Sequence, residues 1–131
     1  MAFVLAVDYD GTIVEGSYPE VGAFKQDVIA KVKEFMANVH CEVVLWTCRE
    51  GSALEEATKR CEEAGLKFDA INANAPTANA WIANEVKTTG DSFAGRKIYA
   101  DFYADDKAMN LDIFNGIDVD KTCNNFAERE N

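Results

Sequence analysis

The sequence is poor in histidine, in basic residues and in long apolar runs. Its one histidine, His40, lies between a predicted helix and a predicted strand, so histidine-based catalysis is not expected. Basic residues number 13 against 23 acidic ones, and the resulting net charge of −10 disfavours sequence-independent binding to nucleic acid. A local basic pocket would still accept a phosphate group. No apolar run approaches the roughly 18 residues that a membrane span needs, so no membrane partner is expected.

Paired cysteine motifs are also missing. The four cysteines show neither CxxC nor zinc-finger spacing, and the opening residues MAFVLAV lack the basic leader that is typical of a signal peptide. We therefore expect a cytoplasmic protein with reduced thiols. These thiols belong to Cys41, Cys48, Cys61 and Cys123.

What the sequence does contain is a regular alternation of apolar runs and amphipathic helical stripes. The predicted strands are residues 3–7, 43–46, 68–71 and 98–104. The predicted helices are residues 22–37, 52–65, 77–86 and 108–115. The second helix is predicted to begin with a capping box between Ser52 and Glu55 and to end at Gly65. The pattern predicts an α/β fold, a three-layer Rossmann-like parallel sheet with helices on both faces, in one domain over residues 1–131. Residues 118–131 are polar and are expected to be peripheral or frayed.

The first predicted strand runs into two closely spaced carboxylates, Asp8 and Asp10, followed by Gly11 and Thr12. Side chains two apart on extended backbone point the same way, so these charges repel unless a cation lies between them. Alone, the pair also fits an ordinary turn after a strand. An EF-hand loop is excluded, because the segment follows a strand and has no acidic residue at the required offset.

Polar side chains follow two other predicted strands. Thr47 ends the second strand, and Asp105 and Asp106 end the fourth, which begins after Lys97. Ligands of parallel sheets bind at the carboxyl ends of the strands, so these groups are expected at one edge of the sheet. A divalent cation would offset the repulsion between the acidic side chains, and carboxylate oxygens suit Mg²⁺. Arg49, two residues after Thr47, is either a phosphate clamp or a surface arginine near a helix start.

The segments VDYDGTIV, VVLWT, Lys97 and YADD, in this order, resemble the four signature motifs of the haloacid dehalogenase (HAD) phosphatase superfamily. The resemblance extends over about residues 3–108. The stretch RKIYADFYADDKA is also similar to the closing motif of the deoxyribonucleotidase branch. The lysine is the weakest match, and Lys87 or Lys67 is the alternative.

The resemblance implies a Mg²⁺-dependent phosphomonoester hydrolase that works through an aspartyl-phosphate. Asp8 would be the nucleophile, and Asp10 would act first as general acid and then as general base. Thr47 and Lys97 would hold the phosphoryl oxygens.

The resemblance also implies where Mg²⁺ and substrate bind. Mg²⁺ would contact Asp8, the carbonyl of Asp10 and Asp106, while Asp105 would orient Lys97 or a metal-bound water, or complete the metal site. The candidate substrate-binding residues are Thr12, Thr47, Arg49 and Lys97.

The intervals between these motifs are short. Between Asp8 and Thr47 lie 38 residues, and between Thr47 and Lys97 lie 49. Neither interval has room for the cap domain of many HAD enzymes, so a capless and open site is expected. Such a site admits a phosphorylated macromolecule. Alternatively, short loops such as residues 14–22, or a second subunit of a homo-oligomer, would close it over a small phosphate ester or nucleotide, which the acidic charge favours.

Two other functions stay open. The first is phosphoryl transfer to an acceptor other than water, which uses the same intermediate. The second is a non-catalytic phosphate- or metal-binding module that accepts a phosphoryl group, as signalling receivers do. Receivers place the phosphorylated aspartate on a central strand and the acidic pair on the first, which is opposite to the order in this sequence.

Overall fold

Four parallel strands form one sheet in the computed structural model of the protein, which describes residues 1–16, 19–20, 22–90 and 95–130. Residues 17, 18 and 21 of the predicted loop 14–22, and residue 131, lie outside the described residues. The strands, in the spatial order β3-β2-β1-β4, are β1 (Phe3–Val7), β2 (Cys41–Leu45), β3 (Ala70–Ile71) and β4 (Phe102–Ala104). Each neighbouring pair is parallel, which confirms the predicted α/β class.

Helices cover the sheet on both faces. They are α1 (Gln26–Ala37), α2 (Gly51–Glu63), α3 (Pro76–Thr89), α4 (Leu111–Asn115) and α5 (Val119–Glu130). Side chains of the buried strand β1 alternate between two apolar clusters, as the period of two requires. Phe3, Leu5 and Val7 join the cluster that includes residues of α1, α2, α4 and α5. Val4 and Ala6 join the cluster that includes Ala78 of α3, so the predicted three layers are confirmed.

Strands β3 and β4 are shorter than predicted because an aspartate side chain replaces backbone pairing where each was expected to begin. The Asp69 carboxylate accepts the backbone N–H of Val43 at 2.8 Å, immediately before β3. In the same way the Asp101 carboxylate accepts the N–H of Val4 at 2.8 Å, immediately before β4. Residues 68–69 and 98–101 therefore lie beside the sheet without forming regular strand.

Helix α1 begins at Gln26, four residues later than predicted. The residues before it are extended instead, with an antiparallel bridge between Val14 and Phe24. The N–H of Glu15 donates to the carbonyl of Ala23 at 2.8 Å. This pairing satisfies backbone groups that a longer helix would use. The predicted helix is therefore about one turn too long at its N-terminal end.

The predicted capping box at Ser52 is wrong, while the predicted helix end at Gly65 is confirmed. Helix α2 begins one residue earlier, at Gly51, after Glu50 as N-cap, and no side-chain capping bond forms. Gly65 has a φ of +85°, the left-handed conformation that follows many helices. Helix α4 begins three residues later than predicted, because the Asn110 side chain caps it by accepting the N–H of Asp112 at 2.9 Å.

Residues 118–130 are not frayed, which corrects the prediction for this segment. They contain α5, whose Val119 and Cys123 are buried in the main apolar cluster. Phe126 packs edge-on against Phe3 of β1, with ring centroids 5.6 Å apart. The apolar side chains recur at helical spacing within a polar segment, and that spacing provides the contact. Within the described residues, no helix combines the length and apolarity needed to cross a membrane.

Candidate functional site

Three carboxylates meet at the carboxyl edge of the sheet. One oxygen from each of Asp8, Asp105 and Asp106 lies within 4.8 Å of the other two. The reason is topological, because β1 and β4 are adjacent and in register with Val7 opposite Ala104. The N–H of Asp8 also donates to the carbonyl of Ala104 at 3.0 Å. The structure thus brings together the acidic residues that the sequence predicts to converge.

The environment of Asp8 disfavours its negative charge. Burial, followed by repulsion from Asp105, Asp106 and Asp10, raises the pKa of Asp8 from an ordinary value of 3.8 to about 7. A backbone hydrogen bond from Tyr9 acts in the opposite direction but is outweighed. A divalent cation at this position would stabilise the charged form.

The donor set fits Mg²⁺. All three converging groups are carboxylates, the hard oxygen donors that Mg²⁺ and Ca²⁺ prefer, and they come from the ends of two adjacent strands. The raised pKa of Asp8 follows first from burial and then from the neighbouring carboxylates, and a divalent cation held by the three oxygens would offset both effects. The carboxylate of Asp10 lies outside the cluster, so the predicted contribution of Asp10 to the metal through its carbonyl stays a prediction.

Gly11 and Thr12 hold Asp106 in place. The Thr12 hydroxyl accepts the N–H of Asp106 at 2.9 Å and lies 3.3 Å from one of its carboxylate oxygens, to which it donates. Gly11 has a φ of +78°, and a Cβ there would lie 2.7 Å from the Cγ of Asp106. Thr12 has no exposed surface. This placement corrects the prediction that Thr12 contacts substrate, because its hydroxyl is committed to Asp106.

Lys97 lies beside the cluster in a cavity of about 300 Å³. The cavity is lined by Ala6, Asp8, Trp46, Lys97, Tyr103, Ala104, Asp105 and Ala108. The Lys97 ammonium lies over the ring of Tyr103, 5.2 Å from its centre, and both residues line the cavity. Of the lysines in the described part of the chain, Lys97 is the one that lines this cavity, whereas Lys87 is in the last turn of α3.

Asn72 organises the loop that carries Thr47 and was missed in the sequence. Its side-chain oxygen accepts the N–H of Thr47 at 2.8 Å, and its amide nitrogen donates to the carbonyl of Arg49 at 3.3 Å. Asn72 has a φ of +51°, a conformation that asparagine tolerates better than most residues. An asparagine directly after an apolar run was the available signal, and it identifies a strand end on the same edge of the sheet.

Arg49 is buried and faces Asp10. Its Nε and Nη2 donate to the two carboxylate oxygens of Asp10 at 2.8 and 2.7 Å. The side chain of Arg49 is 3% exposed and that of Asp10 is 19% exposed. The two residues line a second cavity of about 260 Å³ together with Cys48, Glu50 and Ala53. The predicted phosphate clamp therefore has a carboxylate as its partner in this structure.

Fold and site define an α/β protein with an acidic cluster at the carboxyl edge of a parallel sheet. No protein-family model matches the chain, and no curated protein matches it. The chain is similar to a solved structure, a conserved protein coded by a locus of Bacteroides thetaiotaomicron. The two are 32% identical with a TM-score of 0.63, and the match covers 98% of this chain and 93% of the other. The chain belongs to the same family as that conserved protein.

Proposed function

We propose that the protein is a Mg²⁺-dependent phosphomonoester hydrolase that works in the cytoplasm through an aspartyl-phosphate on Asp8. The observation that carries the proposal is the convergence of Asp8, Asp105 and Asp106 within 4.8 Å, beside a cavity that Lys97 lines. Acidic clusters occur without any catalytic role. Here, however, the half-buried carboxylate of Asp8 has a raised pKa, and Lys97 lines the cavity next to the cluster. Together these features suit an anionic substrate.

Mg²⁺, held by Asp8, Asp106 and Asp105, would neutralise the approach of a phosphate anion to a carboxylate. An Asp8 oxygen attacks phosphorus, and the bond from phosphorus to the ester oxygen breaks. Asp10 gives its proton to the departing oxygen, which leaves as an alcohol. Lys97 and Thr47 hold the nonbridging phosphoryl oxygens as their charge shifts.

The second half of the reaction restores Asp8. Asp10, now a carboxylate, takes a proton from a water molecule as the water attacks phosphorus. The bond between phosphorus and Asp8 breaks, and inorganic phosphate leaves. Asp10 thus ends the cycle protonated again, with a proton from the attacking water in place of the one that left with the alcohol.

Cavity size and charge favour a small phosphate ester or nucleotide as substrate. The cavity beside Asp8 has a volume of about 300 Å³, near the lower end of ordinary small-molecule sites. The net charge of −10 repels long polyanions at a distance. A phosphorylated macromolecule is the alternative, since the short intervals between the motifs favour an open site.

A substrate-profile assay tests the proposal. Purified protein is given nucleotides, sugar phosphates, a nitrophenyl phosphate and phosphorylated nucleic-acid ends, with Mg²⁺ or with EDTA. We expect phosphate release that requires Mg²⁺, no release by Asp8→Asn, and a loss of about 10²–10⁴-fold in kcat for Asp10→Asn. Asp10→Asn should still bind Mg²⁺, because its carboxylate lies outside the cluster.

Asp120→Asn is a matched control, because Asp118 and Asp120 repeat the spacing of Asp8 and Asp10 away from the sheet edge. Asp120 contacts the Asn38 side chain in an exposed hydrogen bond, so its loss should leave turnover unchanged. Full activity of Asp8→Asn would contradict the proposal. Uptake of a phosphoryl group from acetyl phosphate without hydrolysis of any ester would instead indicate a phosphoryl-accepting module, and release only to an added alcohol would indicate a phosphotransferase.

A further inference from the structure

The guanidinium of Arg49 is enclosed by groups of the loops around the site. Its Nε and Nη2 bond to both oxygens of Asp10, and Nη2 also donates to the carbonyl of Glu20 at 3.1 Å. The guanidinium carbon lies 5.2 Å from the centre of the buried Tyr9 ring. Arg49 is 4% exposed. An arginine that binds a substrate anion would present the edge formed by Nε and Nη2 to the cavity. In this structure that edge faces the carboxylate of Asp10.

The backbone of Arg49 is also held by hydrogen bonds on both sides of the residue. Its N–H donates to the Thr47 hydroxyl at 3.1 Å, and its carbonyl accepts from the Asn72 side chain at 3.3 Å. Helix α2 begins two residues later, at Gly51. The backbone of Arg49 is therefore anchored to residues that follow β2 and β3. The sheet thus fixes the position from which the Arg49 side chain extends to Asp10.

The paired geometry has a chemical consequence for Asp10. Both oxygens of Asp10 accept N–H groups of Arg49, so the pair fixes where the Asp10 carboxyl group lies and which way it faces.

We infer that Arg49 is a positioning residue for Asp10, which it holds as the base for hydrolysis of the aspartyl-phosphate, and that it does not clamp the substrate. The inference rests on the proposed roles of Asp8 and Asp10. Bidentate pairing fixes both the position and the plane of a carboxylate, which a lysine acting as a point charge does not do. Misplacement of a catalytic group by about 1 Å is enough to slow a reaction up to about 100-fold.

The test measures the lifetime of phosphorylated Asp8, so it does not depend on ester turnover. The full-length protein is labelled with radioactive acetyl phosphate in the presence of Mg²⁺, the phosphodonor is removed, and loss of label is followed. Arg49→Gln should lengthen the lifetime about tenfold or more, approaching the effect of Asp10→Asn. Arg49→Lys should lie between wild type and Arg49→Gln. In the Asp10→Asn background, Arg49→Gln should add little, because the group it positions is already gone.

A second measurement separates positioning from substrate binding. Inorganic phosphate is titrated calorimetrically into wild type and Arg49→Gln at saturating Mg²⁺, with thermal unfolding to verify that each variant folds. A positioning role predicts that the Kd for phosphate changes less than about threefold, since the guanidinium faces Asp10. The double variant, which removes both members of the ion pair, serves if Arg49→Gln alone is unstable.

Three outcomes overturn the inference: a much weaker phosphate affinity in Arg49→Gln, an unchanged lifetime of phosphorylated Asp8, or independent multiplication of the two effects in the double variant. Failure of the proposed function looks different. If wild type hydrolyses no ester but its phosphorylated Asp8 still decays faster than that of Arg49→Gln, the protein is not a phosphatase and the positioning role stands.

Discussion

The hydroxyl of Thr12 and the backbone N–H of Asp106 are joined by a 2.9 Å hydrogen bond across 94 residues of sequence. The bond connects the loop after β1 with the loop after β4. These are the loops that carry Asp8 and the acidic pair, so a buried threonine sets the separation of the candidate metal ligands.

Thr12→Val should weaken Mg²⁺ binding, although Thr12 is not itself a candidate metal ligand. The change removes both contacts of the hydroxyl and leaves the Asp106 N–H without this acceptor, which should cost about 1–3 kcal/mol in the free energy of unfolding. Mg²⁺ affinity should fall about 10–100-fold, as for other residues that orient metal ligands. Calorimetry and chemical denaturation measure the two effects. Thr12→Ser keeps the hydroxyl and should behave like wild type; equal losses in both variants would contradict this role.

Gly11→Ala should disrupt the acidic cluster. A φ of +78° is strained for alanine by about 1–2 kcal/mol, and the new methyl group would press on the Asp106 carboxylate. We expect a lower melting temperature and the loss of measurable Mg²⁺ binding. Gly16→Ala is the matched control, since Gly16 has a φ of +84° but a methyl group added there would meet no atom within 4 Å among the described residues. It should show the strain and retain Mg²⁺ affinity.

The contribution of Asp8 to the stability of the metal-free protein should decrease as the pH rises from about 4 to about 7. The pKa of Asp8 is about 7 in the folded protein against an ordinary value of 3.8, so the folded state binds this proton more tightly than the unfolded state. The contribution of Asp8 to the free energy of unfolding is therefore largest below about pH 4. It falls between about pH 4 and pH 7 and does not change above that range. Denaturant unfolding at a series of pH values in EDTA measures the trend.

Asp8→Asn isolates the contribution of Asp8 to this trend. Each pKa unit is worth about 1.4 kcal/mol, and solvent screening of a partly exposed group reduces the whole effect to about 2 kcal/mol. The variant should be more stable than metal-free wild type at pH 8 by about this amount, and equal to it near pH 4. Saturating Mg²⁺ should stabilise wild type at pH 8 but not the variant. A wild-type curve that rises with pH relative to the variant would refute the assignment.

Lys97→Gln should reduce kcat/KM on the best substrate about 10²–10³-fold, because it removes the cation that lines the cavity beside Asp8. Lys87→Gln is the control from the alternative motif assignment. Lys87 is exposed in the last turn of α3, so its replacement should change activity by less than about twofold. The reverse result, with Lys87 essential and Lys97 dispensable, would contradict the assignment of Lys97 and indicate that the phosphate group binds near Lys87.

Local pattern was sufficient to predict most elements but not their ends. The apolar run at residues 3–7 predicted β1 because a strand buried on both faces needs no alternation. Strand β4 was predicted four residues too long because Asp101 substitutes its carboxylate for a backbone acceptor of Val4, a partner 97 residues away. Residues 22–25 fit a helical stripe but pair with the preceding loop. Such competition between local and distant partners is not encoded in local periodicity.

The order of polar groups at strand ends is a property of the sequence, and it was enough to predict that Asp8, Asp105 and Asp106 meet. Parallel strands in one sheet end on one side, so their terminal residues share an edge whatever the details of packing. The tertiary structure decided which side chains face one another there. Thr12 bonds to Asp106, Asn72 bonds to the Thr47 loop, and Arg49 pairs with Asp10. These partners are distant in the chain, and only the packed sheet brings their donors and acceptors within hydrogen-bonding distance.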